Sequence, residues 1–167
     1  MINVAHVVED LNVGGLEKTL ACIVTGLDKS KFNSKVWCLS RGGRIFEDLK
    51  NEGVDIELLA MPSPRDIFFL LKLIKKIRKE KIGILHTHGY TATTIGRVAG
   101  IFARTPVMLA HVHSTYWDYT RKQFLIDKFL SNFTDKIICC SNAAADFVIG
   151  QEGISAERVT VIYNSVN

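Results

Sequence analysis

The chain has 167 residues, of which 47% are hydrophobic and 23% charged, so it can bury a full core and does not have the composition of a disordered protein. Its net charge of +4 favours an anionic ligand or an acidic membrane surface, but is too small and too dispersed to indicate nucleic-acid binding. The most apolar stretch, Ile67 to Leu71, stops at Lys72 and is too short to span a bilayer. No signal peptide precedes the first strand, so we expect one cytosolic domain that is at most peripheral to a membrane.

The four cysteines follow no metal-binding or redox spacing. Each falls inside a predicted helix or strand, so we expect small core residues in a reducing compartment. They are Cys22, Cys38, Cys139 and Cys140.

Seven short apolar runs alternate with helical or turn segments along the chain. They are rich in Val, Ile and Leu and mostly continuous, which is typical of strands covered on both faces. Strands that alternate with helices predict right-handed crossovers, so we expect an α/β fold: a parallel sheet of about seven strands with helices on both faces. The runs are Ile2–Val8, Ser34–Leu39, Val54–Leu59, Ile82–Thr87, Val107–Val112, Lys136–Cys140 and Val159–Ile162.

The first run leads into a loop with two adjacent glycines, Gly14 and Gly15, and then into a helical pattern from Leu16 to about Leu27. Glycines permit positive φ and close approach of a ligand, and a helix N-terminus offers N–H groups that suit a phosphate. A tight turn is an equally sufficient reason for the pair. The loop does not match G-x-G-x-x-G, and the second strand ends without a carboxylate, so no nicotinamide or flavin cofactor is expected.

The longest helix is predicted to start with Ser63 as its cap and Pro64 in its first position, with Asp66 completing the first turn. A surface helix with cations at its C-terminal end is the favoured interpretation. The alternative is a membrane-surface helix that inserts Phe68 and Phe69 into lipid while the neighbouring lysines meet anionic headgroups. The predicted buried face consists of Ile67, Leu70, Leu71, Ile74 and Ile77.

Two H-x-H pairs end the fourth and fifth strands, His86 with His88 and His111 with His113. Side chains alternate along a strand, so each pair projects to one face. Ligands of an open parallel sheet bind beyond the carboxyl ends of its strands. We therefore expect His88 and His113, the last in their strands, to border the same crevice as the glycine loop. His86 and His111 lie deeper and are expected to be hydrogen-bonded core residues.

H-x-H pairs are also compatible with a metal site, which makes a metal-dependent hydrolase an alternative function. A catalytic metal would need a carboxylate in the same cluster, and Asp118, the nearest acid in sequence, is expected to open the next helix. A metal-free role is therefore favoured.

A helix is predicted from about Asp118 to Phe133, and the sixth strand is followed by Ser141 and Asn142 at the start of a further helix. Both residues face the predicted crevice, but helix capping is the favoured explanation for them. The stripe predicted to be buried in the first of these helices is Phe124, Leu125, Phe129, Leu130 and Phe133.

Several of these motifs together resemble the N-terminal domain of retaining glycosyltransferases of family 4. They are the Gly14-Gly15-Leu16-Glu17-Lys18 opening, the strand end Leu85-His86-Thr87-His88-Gly89, His111-Val112-His113-Ser114, and the tail from Cys140-Ser141-Asn142 to Asn167. The tail departs from the family pattern, since Asn164-Ser165-Val166-Asn167 stands where the family has Asn-Gly-Val-Asp.

The resemblance implies one half of a GT-B enzyme, in which two Rossmann-like domains face each other across a cleft. Residues 1–162 would form the three-layer, acceptor-side domain and 163–167 the start of an interdomain linker. The C-terminal domain, which in this family binds the nucleotide sugar and carries paired glutamates, would be absent, so this piece alone is expected to be inactive. The implied substrates are a nucleotide sugar and a sugar or lipid-linked acceptor in cell-envelope or exopolysaccharide synthesis, with no metal or other cofactor.

The resemblance also implies residue roles. Gly14, Gly15 and Leu16 would form the loop that approaches the donor diphosphate and the acceptor, with Gly15 and His113 as the catalytic positions. His113 resembles the histidine near the transferring sugar, and no general base is assigned. The remaining alternative is a non-catalytic Rossmann-like module that binds an anionic ligand or a partner. The residues implied for the acceptor pocket are His88, Tyr90, Ser114 and Tyr116.

Overall fold

A computed structural model describes residues 1–115 and 119–164 of the chain. Within these residues, seven parallel strands form one sheet in the order β3-β2-β1-β4-β5-β6-β7, accompanied by six α-helices and one 3-10 turn. The strands are β1 Ile2–Asp10, β2 Phe32–Arg41, β3 Asp55–Leu58, β4 Ile84–His88, β5 Val107–Val112, β6 Lys136–Cys139 and β7 Val159–Val161. The helices are α1 Gly15–Gly26, α2 Arg44–Asn51, α3 Ile67–Lys79, α4 Tyr90–Ala103, α5 Arg121–Ser131 and α6 Asn142–Gly150, and the 3-10 turn is Ala156–Arg158.

The predicted α/β class and all seven predicted strands are confirmed. The chain winds outward from β1 through β2 to β3, then returns to pair β4 with the other edge of β1. The strand order therefore reverses between β1 and β4, and in open parallel sheets a crevice forms outside the carboxyl ends of the strands at such a point.

Helices cover the sheet on both faces, and the alternation of β1 shows which residues face which layer. Ala5 and Val7 belong to a core cluster with Leu73 of α3 and Ile95 of α4. Val8 belongs to a different cluster, with Leu20 of α1. His6 lies between Ala5 and Val7 in the strand, so it faces the α1 side of the sheet.

Helix α3 starts later than predicted. Asp66 is its cap, and its carboxylate accepts a hydrogen bond of 2.9 Å from the backbone N–H of Phe69. Ser63 instead accepts from the N–H of Arg65, and Pro64 lies outside the helix. The predicted start was therefore wrong, because Asp66 offers a stronger charged acceptor at the helix N-terminus.

The buried face of α3 was also predicted incorrectly, because the helix is apolar on most sides of its first turns. Phe69 and Leu73 are buried, whereas Ile67 and Leu71 are 57% and 47% exposed. Of the two phenylalanines assigned to a lipid contact, only Phe68 is available, with 79% of its surface exposed. Ile74 and Ile77 are buried as predicted.

Helix α5 begins at Arg121 behind a capping box formed by Thr120 and Gln123. The predicted start at Asp118 lies outside the described residues. Its predicted buried stripe was wrong except for Leu130, which is buried, and Phe124, which is half-buried. The exposed members of the stripe are Leu125, Phe129 and Phe133.

The cysteines divide between core and surface. Cys38 and Cys139 are buried as predicted, Cys140 is half-buried, and Cys22 lies exposed on α1, contrary to the prediction. All four are free thiols. None of the helices in the described part of the chain has the length and apolar character needed to cross a bilayer.

A buried ion pair joins α4 to α5. The guanidinium of Arg97, only 1% exposed, pairs with Asp127 and also donates to the carbonyl of Thr93 at 3.1 Å. Burial, together with the negative charge of Asp127, raises the pKa of Glu152 nearby to about 8. Glu152 is therefore protonated at neutral pH, and Arg97 needs to balance only one carboxylate.

Replacing Arg97 by Met should lower the free energy of unfolding by about 3–5 kcal/mol, because it leaves Asp127 as an unbalanced, largely buried charge. Urea denaturation followed by circular dichroism measures the change. Arg44→Met is the matched control, because Arg44 is exposed and meets Asp48 only at 3.9 Å; we expect a change within about 0.5 kcal/mol. A cost below about 1 kcal/mol for Arg97→Met would contradict a structural role for the pair.

Candidate functional site

All five histidines of the chain gather at the carboxyl edge of the sheet, across the point where the strand order reverses. His6 of β1 lies opposite His86 of β4, and His88 lies opposite His111 of β5. Opposite residues in neighbouring strands project to the same face, so the cluster lies on the α1 side of the sheet. His113, one residue beyond β5, completes it. The centroids of successive rings are 4.0–5.7 Å apart.

Three of the imidazoles form a hydrogen-bonded chain. His6 Nδ1 lies 3.4 Å from His88 Nε2, and His88 Nδ1 lies 3.2 Å from His113 Nε2. A neutral imidazole carries one N–H and one lone pair, so the chain runs in one of two directions. Either way, the Nδ1 of His113 is left as the end of the chain, as a donor in one direction and as an acceptor in the other.

Five of the other six ring nitrogens of the cluster are buried without a hydrogen-bond partner among the described residues. His86 and His111 are buried as predicted, but the prediction that they are hydrogen-bonded is wrong for Nε2 of His86 and for both nitrogens of His111. Unpaired buried polar groups are costly and rare in native proteins, so their concentration here marks a site rather than ordinary core packing. The unpartnered atoms are His6 Nε2, His86 Nε2, His111 Nδ1, His111 Nε2 and His113 Nδ1.

Burial keeps the whole cluster neutral. It lowers the pKa of His6 to about 4, with a smaller contribution from His111, and it lowers the pKa of His111 itself to about 4. The pKa of His113 falls to about 3 through burial and then through His111. The pKa values of His86 and His88 lie well below 6.5, again mainly because of burial. At neutral pH the site therefore presents uncharged imidazoles.

The glycine loop lies at the same edge as the histidines. Gly89, directly after His88, has φ +75°, and a Cβ placed on it would lie 3.3 Å from Leu16 Cδ1. This close approach joins the end of β4 to the first turn of α1. The position of Gly15 beside His88 and His113 stays a prediction. His88 is fully buried, so the prediction that it borders the crevice is wrong.

The conformation of the glycine pair differs from the prediction. Gly14 has φ −161° and ψ 177°, which is extended backbone, and Gly15 is the first residue of α1, so neither needs positive φ. A Cβ on Gly15 would meet no atom within 4 Å. The space beside Gly15 is therefore open to a ligand, whereas the Glu17 carboxylate lies against Gly14, where a Cβ would meet its Oε2.

The remaining predicted site residues fall in three places. Ser114 is exposed beside His113, whose carbonyl accepts from the Cys140 thiol at 3.2 Å. Ser141 caps α6 by accepting from the N–H of Ala144 at 3.2 Å, which confirms the capping interpretation, and Asn142 is the exposed first residue of α6.

Tyr90 shares a small cavity with one residue of the cluster, His111. Its ring packs against Tyr119 with centroids 4.6 Å apart, and Arg97 and Asp127 line the same cavity on the α4–α5 side. It is not brought together with His113. Tyr116, the other tyrosine predicted for the acceptor pocket, lies outside the described residues.

A groove of about 260 Å³ opens beside the cluster, between α1 and the segment that follows β7. Its walls include Thr19 and Cys22 of α1, His111, and Ile162 with Tyr163. Ile162 and Tyr163 are 53% and 67% exposed. The groove gives His111 an open side, although the residue itself is buried.

Two residues of the site were not singled out by sequence reasoning. His6 joins the cluster only because the register between β1 and β4 places it opposite His86. No role was predicted from the sequence for Gly89, which was named only within the strand end Leu85–Gly89. A glycine between a strand and a helix is a signal for positive φ, and this signal could have identified it.

Comparisons with known proteins add a family and a fold. Residues 13–167 match the family described as Glycosyltransferase Family 4. Over 109 residues, covering 62% of this chain and 28% of the relative, the chain is 29% identical to the UDP-Gal:alpha-D-GlcNAc-diphosphoundecaprenol alpha-1,3-galactosyltransferase of Escherichia coli.

Two solved structures share the fold. The crystal structure of Anabaena HepE in complex with UDP and glucose superposes with a TM-score of 0.85 at 18% identity, covering 100% of this chain and 45% of that one. A glycosyltransferase from Rickettsia africae gives a TM-score of 0.75 at 17% identity, covering 99% of this chain and 44% of that one. The chain thus spans less than half the length of each protein compared here.

The histidine cluster should make stability depend on acid. Folding lowers the pKa of His6 and His111 from 6.5 to about 4, so between these pH values a proton binds the unfolded chain more tightly than the folded one. The folded state is therefore fully favoured above pH 6.5 and loses stability as the pH falls towards about 4. The free energy of unfolding should decrease by up to about 1.4 kcal/mol per pH unit for each histidine in the cluster. Urea unfolding at several pH values between 7 and 5 measures the slope.

Glu152 is the control for this measurement, because its raised pKa has the opposite sign and favours the folded state as the pH falls from about 8. The slope should therefore be steeper in a Glu152→Gln background. Stability that does not change between pH 6.5 and 5 in this background would mean that the imidazoles are protonated in the folded protein.

Proposed function

The chain belongs to Glycosyltransferase Family 4, and from this membership we propose that it is the acceptor-side half of an enzyme that transfers a sugar from a nucleotide-sugar donor to an acceptor hydroxyl. Its fold is that of the N-terminal half of a GT-B enzyme. One observation carries the proposal: the close approach of Gly89 to Leu16 brings the first turn of α1 to the edge of the sheet that carries the His88–His113 pair.

The first turn of α1 is suited to the leaving phosphate of the donor. Its unpaired N–H groups and partial positive charge face the space left open by Gly15. Charge that develops on the departing diphosphate would be stabilised by these preorganised donors, which need not reorient during the reaction. The relative of known structure from Anabaena was crystallised with UDP and glucose, and the Escherichia coli relative is named as a UDP-Gal-dependent enzyme, which supports a uridine-diphosphate sugar as donor.

His113 is proposed to contact the transferring sugar. Its Nδ1 ends the hydrogen-bonded chain of imidazoles and is buried without a partner among the described residues, so a sugar hydroxyl that reaches it would satisfy it. A hydroxyl both donates and accepts, and thus fits either direction of the chain. His88 and His6 are positioning residues, because they hold the ring and tautomer of His113. Ser114 is proposed to contribute to the acceptor pocket from its exposed position.

Family resemblance further supports transfer with retention, without a resident metal ion or other cofactor. In this scheme the acceptor hydroxyl loses its proton largely to the departing phosphate oxygen, and no side chain of this chain acts as the base. The second domain would supply the contacts to the nucleotide. Residues 163–167 are proposed to begin the connection to it.

The acceptor is proposed to be a sugar or a lipid-linked sugar, used in cell-envelope or exopolysaccharide synthesis at the cytoplasmic face of the membrane. The Escherichia coli relative is named for a diphosphoundecaprenol-linked acceptor. Helix α3 carries an exposed face that combines apolar and basic residues and suits an anionic bilayer. This face consists of Ile67, Phe68, Leu71, Lys72 and Lys75.

In the enzyme that includes the second domain, Gly15→Val should lower kcat/KM by about 10²–10³, because the side chain fills the approach to the helix N-terminus. Folding should be preserved, since a Cβ at this position meets nothing within 4 Å. Gly26→Val, at the other end of the same helix and equally unobstructed, is the control and should retain activity. Near-normal turnover of a folded Gly15→Val enzyme would refute the proposed role of the loop.

Phe68→Glu should weaken sedimentation with anionic liposomes by about tenfold or more. The change removes an aromatic side chain that would insert into the bilayer, and it adds a negative charge that anionic headgroups repel. Phe129→Glu, a change at a similarly exposed phenylalanine on α5, should not weaken sedimentation. Weaker sedimentation of Phe129→Glu together with unchanged sedimentation of Phe68→Glu would mean that α5, and not α3, contacts the membrane.

A further inference from the structure

We propose that His88, His111 and His113 form a binding site for a divalent transition-metal ion such as Zn²⁺, reached from the groove beside α1. Binding of the ion is a different function from the sugar transfer proposed for the same carboxyl edge of the sheet, because it requires neither a nucleotide sugar nor a second domain. Three imidazoles with one open coordination position are a ligand set that suits zinc, copper or nickel.

The spacing of the ring nitrogens supports a shared ion. One nitrogen from each of the three rings lies within 4.8 Å of the others. His88 Nδ1 and His113 Nε2 are 3.2 Å apart. A tetrahedral ion with bonds of about 2.0–2.1 Å separates its ligand nitrogens by about 3.3 Å, so this edge of the triad already has the required length.

The unpartnered nitrogens are the second, independent observation. His111 is 3% exposed, and neither of its ring nitrogens has a hydrogen-bond partner among the described residues. Buried polar atoms in native proteins are normally satisfied by protein, water or a bound ion. A metal ion would take up the lone pair that His111 directs at no protein atom.

A second triad, His6 with His86 and His88, meets the same distance criterion, and the two triads share His88. All three residues of this inner triad are buried, whereas His113 is half-buried and His111 lines an open groove. An ion entering from solvent reaches the outer triad first, and only the outer triad offers an open position for a fourth ligand. The geometry therefore favours the outer set.

The test is a titration of the full chain, without an affinity tag, with Co²⁺ followed by visible absorption and with Zn²⁺ followed by calorimetry. A Cys22→Ser background removes the exposed thiol that lines the same groove and would compete for either ion. We expect one ion per chain and the absorption of a tetrahedral cobalt site. His113→Asn should weaken binding by more than about 100-fold, since even partners outside the first coordination shell cost about 10–100-fold.

His86→Asn is the matched control, because it removes a histidine from the inner triad, leaves the outer triad intact and keeps the hydrogen bond between His6 and His88. Its affinity should stay within a few-fold of the parent, and circular dichroism confirms that each variant is folded. If His113→Asn does not fold, His111→Gln replaces it. Loss of binding in His86→Asn alone, unchanged binding in both variants, or no saturable binding in the parent would each overturn the proposal.

One functional consequence rests on the proposed function. An ion held by His113 would occupy the imidazole assigned to the donor sugar, so added Zn²⁺ should inhibit sugar transfer by the two-domain enzyme, and a chelator should restore it. Transfer that continues with the ion bound would overturn this consequence alone, because binding is measured without turnover. Failure of binding would overturn the site, whatever the enzyme's activity.

Discussion

The parallel pairing of β1 with β4 is the constraint on which the rest of the molecule depends. It places His6 opposite His86 and Val8 opposite His88, and it creates the point where the strand order reverses. A slip of one residue would turn the histidines of one strand to the opposite face of the sheet, because successive side chains alternate. The close contact of Gly89 with Leu16 then ties the first turn of α1 to the end of β4. Loop, helix N-terminus and imidazoles share an edge because this register is kept.

The histidine cluster is maintained at a cost to stability. Five imidazoles are removed from water, and several of their nitrogens have no partner among the described residues. An apolar set of the same volume would pack without that penalty. Natural sequences depart from good packing mainly at functional sites. In contrast, the buried charges between α4 and α5 are balanced. The positive charge of Arg97 pairs with the negative charge of Asp127, and Glu152 is neutral because it takes up a proton. The contrast separates a structural ion pair from a site built to meet a ligand.

The class of the fold, the seven strands and the edge on which the site lies could be predicted from the sequence, because continuous apolar runs and their alternation with helices are local signals. The strand Val107–Val112 was predicted with its observed limits. What could not be predicted depends on neighbours distant in the chain. The buried face of α3 is set by its packing on α4, and the helix is apolar on too many sides for periodicity to choose Phe69 over Ile67. His6 enters the site through a register that no local pattern encodes, and Gly14 is extended because the helix starts directly after it.

The position of β1 in the middle of the sheet also governs how the protein emerges from the ribosome. β1 is made first and pairs with β2 soon afterwards, but its other edge stays open until Ile84–His88 has been synthesised. Unpaired strand edges are sites of wrong association. The nascent chain must therefore carry an exposed edge through the synthesis of β2, β3 and three helices. The imidazoles come together only once β5 and His113 have been made, after the pairing of β4 has covered the open edge of β1.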